Sequence, residues 1–353
     1  MLIGMKTKVV MLSEKTPDES VIKEAGKVIK DGGLVAFPTE TVYGLGANAL
    51  DSEAVAKIFM AKGRPQDNPL IIHVGDYNIE PYVKNVPIVA REIIKKFWPG
   101  PITIILEKTE LVPQVTSAKL PTVGIRMPQN NIAIGLIKAA GVPIAAPSAN
   151  ISGRPSPTDM ESCVEDLEGK VDYILGGENS IVGVESTIVD CTVSPICILR
   201  PGAITLEMLR EIDNKVYIDP SVLSKPTEDF KPKAPGMKYR HYAPKAPVKI
   251  VDGDIDKVVA KINEIVLNYI KQGKKVGIIA TDETKSLYNK GTVISIGARC
   301  DIEDIGKNLF RVLRSFDSID IDIILCEAFE ESGVGTAVMN RLKKSAGFNI
   351  LKV

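Results

Sequence analysis

Lys62 and Arg64 flank a glycine, so an ammonium and a guanidinium lie two residues apart on chain that can turn. Such a pair can converge on one polyanion: arginine offers a planar fork for phosphate oxygens and lysine a mobile point charge. The plainer reading is a charged helix C-terminus, where cations sit favourably anyway. Pro147-Ser148-Ala149-Asn150-Ile-Ser152-Gly153 adds short hydroxyl and amide side chains suited to phosphate or metal-bound water. Ser, Asn and Gly also make ordinary turns. Arg126 ends an apolar run just ahead of Pro128, placed to grip a carboxylate, and Arg200 ends another ahead of Pro201-Gly202. His73, inside Leu70–Val74, reads as a packed core residue or a ligand contact. Glu185-Ser186-Thr187 opens a further run, as ligand hydroxyls or as a strand edge. Gly333-Val-Gly335 has the spacing of a phosphate turn but serves equally to start a helix.

Phe37-Pro-Thr-Glu-Thr-Val-Tyr-Gly-Leu-Gly46 is the densest of these runs. It follows the apolar stretch Leu34–Phe37 and reads as a loop at a strand's carboxyl end, where open α/β sheets bind ligands. Thr39 and Glu40 read as shaping the turn, and Gly44 and Gly46 as permitting a tight backbone path. No Walker A sequence, full G-x-G-x-x-G fingerprint or G-x-S-x-G elbow occurs. What remains is a set of cations and hydroxyls at strand ends, all before residue 201.

The elements that must hold these groups are legible from periodicity. Val21, Ile22, Ala25, Val28 and Ile29 make one helical face over 18–31, stopped by Gly32-Gly33. A strand over 34–37 and a helix over 52–62 follow. Strands over 70–74, 102–106, 123–127, 143–146, 186–190 and 196–199 alternate with helices over 86–97, 130–140, 158–167 and 205–213. This predicts a mixed α/β domain with one substantial sheet. After residue 247, strands over 248–251, 275–280, 292–296 and 321–326 alternate with helices over 255–271, 302–316 and 335–345. That rhythm predicts a small, Rossmann-like, doubly wound parallel sheet. Between the domains, Pro220, Pro226, Pro232, Pro235, Pro244 and Pro247 mark a linker. Its second half, Pro235-Gly-Met-Lys-Tyr-Arg-His-Tyr-Ala-Pro244, has the composition of a lid or binding loop. The expected division is a catalytic domain over 1–212, a linker over 213–246 and a second domain over 247–353.

Lys and Arg equal Asp and Glu at 44 each, so a wholly basic nucleic-acid surface is not indicated. No apolar run approaches the roughly 20 residues that span a bilayer. Met1 to Val10 lacks the apolar core and cleavage site of a secretory signal, so the cytoplasm is the expected location and no membrane the expected partner. Five cysteines without a C-x-x-C pair and two histidines do not suggest structural zinc. The thiols read as buried, with a Cys191–Cys197 bridge left open.

Taken in order, Phe37–Gly46, Lys62-Gly-Arg64, Asn68-Pro-Leu-Ile-Ile-His73, Trp98-Pro-Gly-Pro-Ile-Thr103, Gly124-Ile-Arg126 and Pro147-Ser-Ala-Asn150 resemble the YrdC/Sua5 family. The resemblance spans residues 18–212. The motif Pro235–Pro244 and the C-terminal α/β pattern resemble the two-domain Sua5 form. It implies a YrdC-like, twisted mixed-sheet catalytic domain. It also implies a nucleotidyltransferase that joins L-threonine, bicarbonate and ATP into threonylcarbamoyl-AMP and releases pyrophosphate. The product would pass to the transferase machinery that modifies tRNA; direct contact with tRNA is left open. By the same resemblance Lys62, Arg64, Ser148 and Asn150 are catalytic. Arg64, Asn68, Thr122, Ser148, Ser156, Arg200 and Tyr239 contact ATP. Thr41, His73, Arg126, Ala146 and Ser186 hold threonine. Mg²⁺ would come with the ATP phosphates rather than on a protein metal site, and the linker would fold back as a lid. Every reacting species is anionic, so clustered positive charge matters more than a nucleophilic side chain.

Two alternatives carry weight. One is an RNA-binding module of the YrdC type without catalysis, against which stand the neutral charge and the lack of aromatics among the cations. The other is carbamoyl transfer in hydrogenase maturation, where a related domain occurs beside an acylphosphatase domain and zinc-finger cysteines; this chain shows neither pattern.

Overall fold

The computed structural model describes residues 6–224, 232–237 and 241–353. The chain divides into two compact units, Met1–Ser152 with Ser156–Tyr239, and Gly153–Pro155 with Arg240–Val353.

The first unit runs β1 (Lys8–Met11), α1 (Glu19–Lys30), β2 (Val35–Phe37), β3 (Gly44–Asn48), α2 (Ser52–Lys62), β4 (Ile71–His73), α3 (Ile88–Phe97), β5 (Ile102–Glu107), β6 (Thr122–Arg126), α4 (Asn131–Ala140), β7 (Ile144–Ala145), α5 (Met160–Leu167), β8 (Tyr173–Gly176), β9 (Thr187–Asp190), β10 (Cys197–Arg200), α6 (Leu206–Arg210) and β11 (Tyr217–Ile218). Its strands form one mixed sheet in the order β1-β8-β2-β3-β7-β4-β6-β5-β9-β10-β11. Aspartates cap the helices that flank the site. Asp18 accepts from the amides of Ser20 and Val21 to start α1, and Asp51 from Glu53 and Ala54 to start α2.

Each face of this sheet is covered differently. Facing one side, Ala36, Leu45, Ala47, Ile72, Ile104, Ile125 and Val189 form a core with Val55, Ile58 and Phe59 of α2 and Ile93 of α3. The other side is covered in two separate patches. Ile22, Ala25 and Ile29 of α1 and Ile132, Leu136 and Ile137 of α4 pack on Val35, Phe37, Ile144 and Ala146. At the far end, Ala234 and Met237 pack on Ile71, Ile105, Ile188 and Leu199. Between the patches the face carries polar side chains.

The second unit continues with β12 (Val248–Asp252), α7 (Ile255–Lys271), β13 (Val276–Ala280), β14 (Thr292–Ser295), α8 (Ile302–Ser315), β15 (Ile323–Glu327), α9 (Val334–Ser345) and β16 (Ile350–Lys352). Its sheet, ordered β14-β13-β15-β12-β16, is parallel in every pairing, as the alternating rhythm predicts. Val258, Ile262 and Val266 of α7 pack on Val251, Ile278 and Leu325.

Several expectations shift. Gly44–Asn48 is a strand rather than loop, and β1, β8, β11 and β16 escaped the periodicity. The sequence-based linker begins at 213, yet Tyr217 and Ile218 pair in parallel with β10. Gly333 caps α9 at a φ of 52° within the second unit. Cys191 and Cys197 are buried free thiols, so the bridge left open does not form. Among the described residues no helix is long and apolar enough to cross a membrane.

Candidate active site

The mixed sheet gathers the polar strand ends on one rim. β4 and β6 run parallel with His73 opposite Arg126, β5 runs antiparallel to β6, and β9 runs parallel to β5 with Thr103 opposite Ile188. β10 returns antiparallel to β9 with Arg200 opposite Ile188. Carboxyl ends of β4, β6 and β10 therefore meet amino ends of β5 and β9. Register partners project to the same side of a sheet. So His73, Arg126, Thr103 and Arg200 share the face left open between the two apolar patches. β7 lies antiparallel beside β4 with Ile144 opposite His73, and Ser148, four residues on, bridges Gly44. Four extended residues reach roughly 13 Å, so the polar surface crosses the face instead of clustering at one carboxyl end. The rule for open parallel sheets predicted only the rim.

At one end of this surface α2 delivers its last residue, Lys62. Gly63 ends the helix in the left-handed conformation at a φ of 60°, which a glycine adopts without a Cβ penalty. The Lys62 side chain is 2% exposed. Its Nζ donates to the Ser148 and Asn150 carbonyls, the latter at 2.5 Å, and to Asn150 Oδ1 at 3.4 Å. Ser148 Oγ lies 2.5 Å from Asn150 Oδ1. Three of the four catalytic residues expected, Lys62, Ser148 and Asn150, thus form one hydrogen-bonded unit. Arg64 follows on the loop, its Nη2 donating to the carbonyls of Asn68 and Pro69 at 3.3 and 3.4 Å. The Asn68 side-chain amide is 1% exposed, and neither its nitrogen nor its oxygen has a hydrogen-bond partner. A buried amide left unmet is costly unless something fills the place.

At the end of β6 away from Arg126, Thr122 lines a small cavity with Ile71, Thr103, Gly124, Ile188, Lys233 and Pro235. Ala146 is buried, and its amide donates to the Ile71 carbonyl. Ser156 Oγ donates to Glu185 Oε1 at 2.6 Å, both residues buried. Tyr239 lies outside the described residues.

At the rim, Arg126 is 4% exposed. Its Nη1 donates to Thr41 Oγ1 at 3.0 Å, its Nε to the Gly100 carbonyl at 3.4 Å, and its Nη2 stands 2.7 Å from Glu40 Oε2. Arg200 donates from Nε to the Ser186 carbonyl at 3.0 Å and from Nη2 to Ser186 Oγ at 3.1 Å, while Ser186 Oγ meets Thr103 Oγ1 at 2.8 Å. His73 is buried with no partner for Nδ1. Burial, and then the neighbouring Arg126 charge, lower its pKa from 6.5 to about 3, so the imidazole is neutral.

Two groups enter this surface that sequence reasoning left aside. Thr103 was placed within a family motif without a role, yet it bridges to Ser186. Glu40 was read as a turn residue; its carboxylate instead stands on the arginine assigned to substrate. Its place beside Thr41, a residue assigned to the site, was the available signal. Among the described residues no three His, Cys, Asp or Glu side chains group as metal ligands.

Residues 27–202 match the Sua5-YciO-YrdC family model, described as telomere recombination, and residues 204–347 match the model of the threonylcarbamoyl-AMP synthase C-terminal domain. The threonylcarbamoyl-AMP synthase of Pyrococcus abyssi is 48% identical over 95% of this chain and 97% of its own length. That of Bacillus subtilis is 43% identical over 99% of this chain and all of its own. The crystal structure of P. abyssi Sua5 complexed with L-threonine superposes with a TM-score of 0.93 at 47% identity, covering 98% of this chain and 100% of the other.

Proposed function

The chain belongs to the Sua5 family, and we propose that its sheet face carries out the synthesis of threonylcarbamoyl-AMP. It is an enzyme of the nucleotidyltransferase type, acting on threonine and ATP in the service of tRNA modification. One observation carries the assignment of the site. Three buried cations, Lys62, Arg126 and Arg200, meet a face that also holds buried groups without protein partners, the Asn68 amide and His73 Nδ1. That set suits a carboxylate-bearing and a phosphate-bearing substrate bound side by side.

Threonine lies at the rim. Arg126 takes its carboxylate in a planar fork. Thr41, Ser186 and neutral His73 hold the rest, with Ala146 beneath. ATP lies across the face toward Ser148, its phosphates near Lys62, Arg64, Ser148, Asn150, Ser156 and Arg200, with Asn68 and Thr122 around the nucleoside; the resemblance adds Tyr239 as an ATP contact. Bicarbonate condenses with the threonine amine to give a carbamate. That carboxylate attacks the α-phosphorus, and pyrophosphate leaves. Negative charge grows on the phosphorus oxygens in that step, and fixed cations in a water-poor site stabilise it most. Lys62 is held in place by three oxygens, so its charge is set before substrate arrives. Mg²⁺ would accompany ATP, held chiefly through phosphate oxygens and water, since the neighbouring protein donors are mostly neutral hydroxyls and amides. It would offset phosphate charge. Ala234 and Met237, buried on the same face, support a lid role for the linker, which keeps water from a labile mixed anhydride. We place the reaction in the cytoplasm, with the product handed on to the tRNA-modifying transferase.

The test is direct. Protein incubated with ATP, L-threonine and labelled bicarbonate should release pyrophosphate and form a labelled adenylate. ATP cleavage that ignores threonine would overturn the proposal. Salt-sensitive tRNA binding without ATP consumption would favour the non-catalytic RNA-binding reading instead.

A further inference from the structure

We propose that Glu40 receives the α-ammonium group of threonine and takes up the proton that group must shed before it is carboxylated. This rests on the assignment of Arg126 to the threonine carboxylate.

Glu40 is 3% exposed, on the turn between β2 and β3. The turn is fixed by its own hydrogen bonds. Thr39 Oγ1 accepts from the amides of Thr41 and Val42 and donates to the Val42 carbonyl at 2.6 Å. Ser180 Oγ donates to the Thr39 carbonyl, and the Val182 amide to that of Glu40 at 2.8 Å. The carboxylate is therefore aimed by rigid backbone. It is also incompletely served. Oε2 stands 2.7 Å from Arg126 Nη2, but that contact is not aligned as a hydrogen bond, and Oε1 has no partner. A buried carboxylate accepts at about four lone-pair sites and keeps its charge only when they are met.

A carboxylate and a guanidinium side by side, each with unmet hydrogen-bonding capacity, form the charge complement of an α-amino acid head group. The carboxylate of threonine fits Arg126 and its ammonium fits Glu40 Oε1. The chemistry needs such a partner, because an ammonium nitrogen has no lone pair. Proton transfer from nitrogen to Oε1 frees the pair, which attacks the bicarbonate carbon. A C–N bond forms, a C–O bond breaks, and the departing hydroxide leaves as water with a second proton from nitrogen. The carbamate remains, and Glu40 returns its proton to solvent after product leaves. The charged and titratable groups facing Glu40 are Arg126 of β6 and, through its field, Glu14 of the loop after β1. His73, beside Arg126, is neutral.

The test uses the full chain with Glu40→Gln, which keeps the shape and removes the charge. Adenylate formation is followed against pH, and calorimetry compares L-threonine with the analogue bearing hydroxyl in place of the amine. The expected loss at neutral pH is at least about tenfold. Activity should recover as pH rises through the range where the free amine titrates, because the substrate then arrives deprotonated. Wild type should prefer threonine over the analogue, and the variant should lose that preference. A pH-independent loss with the preference intact would overturn the proposal and leave Glu40 as a counter-ion of Arg126. So would a wild-type rate. If Glu40→Gln does not fold, Glu40→Asp provides the second reading: weakened threonine binding with an unchanged pH profile supports the proposal, and unchanged binding opposes it. Should wild type bind threonine with the preference yet make no adenylate, the catalytic assignment fails while the recognition of the ammonium stands.

Discussion

Lys62→Met separates a charge that works on substrate from a charge that only ties the fold. The methionine keeps length and apolar bulk and removes the ammonium. Nζ serves the carbonyls of Ser148 and Asn150 in a site where the residue is 2% exposed. Leaving the buried Asn150 carbonyl and the half-buried Ser148 carbonyl unmet costs at most about 1–3 kcal/mol each, hence up to roughly 2–6 kcal/mol of stability. At about 2–4 °C per kcal/mol for a domain of this size, the melting point should fall by up to roughly 5–20 °C. Removing a preorganised stabiliser of transition-state charge costs about 2.7–4 kcal/mol, or roughly 10²–10³ in kcat. The assay is pyrophosphate release at saturating ATP, threonine and bicarbonate, run well below the variant's melting point. Lys62→Arg serves as the charge-retaining control and should keep more of the rate. A Lys62→Met protein that is folded, melts lower as calculated, and still turns over at the wild-type rate would refute the reasoning. Lys62 would then be a structural tie between α2 and the 148–150 segment.

Three further outcomes follow from the same geometry. In Gly46→Ala the new Cβ would lie 2.6 Å from Ile144 Cγ2 and 2.8 Å from Phe37 Cε1, so overpacking should cost about 1–3 kcal/mol, read as a lower denaturation midpoint. His73 has a folded pKa of about 3 against 6.5 for an unperturbed imidazole, so the unfolded chain gains a proton as pH falls through 6.5 and the folded chain does not. Its contribution to stability is present above that value and is lost progressively down to about 3; His73→Asn should flatten that part of the melting-point profile. Met237→Ala removes a side chain buried against Ile71, Ile105 and Ile188; if this cover excludes water, the variant should release more threonine carbamate and AMP per adenylate retained, by chromatography of the reaction mixture.

Which parts of this were legible beforehand follows from the range of the forces involved. Helices α1, α2 and α7 could be read closely because their apolar stripes and aspartate caps are local. The parallel rhythm after residue 247 was equally plain, because buried parallel strands are continuous apolar runs. β3 was misread because Gly44-Leu-Gly46-Ala-Asn48 has little strand propensity; tertiary packing against Phe37 and Ile144 makes it a strand, and only glycine fits at 46. β11 was lost among the linker prolines for a similar reason: two residues gain their place by pairing with β10. The cations and hydroxyls could be named from types and spacing, but their surface could not.

That surface depends on strand direction, which no local pattern encodes. Had β5, β7 and β9 run parallel to β4 and β6, Thr103 and Ser186 would lie at the opposite edge from Arg126 and Arg200, and Ser148 would not cross the face beside His73. The mixed order instead brings amino and carboxyl strand ends together and lets one return segment carry Ser148 about 13 Å inward. Glu40 belongs to the same lesson. In sequence it is an acid between two threonines in a turn, and turns favour polar residues for backbone reasons alone. Only the approach of Arg126, separated by 86 positions and delivered by β6, turns it from a turn residue into half of a buried charge pair with an oxygen left over. A short motif can therefore name the substrate-facing groups on its own strand end, while the partner that completes the chemistry is fixed by long-range pairing.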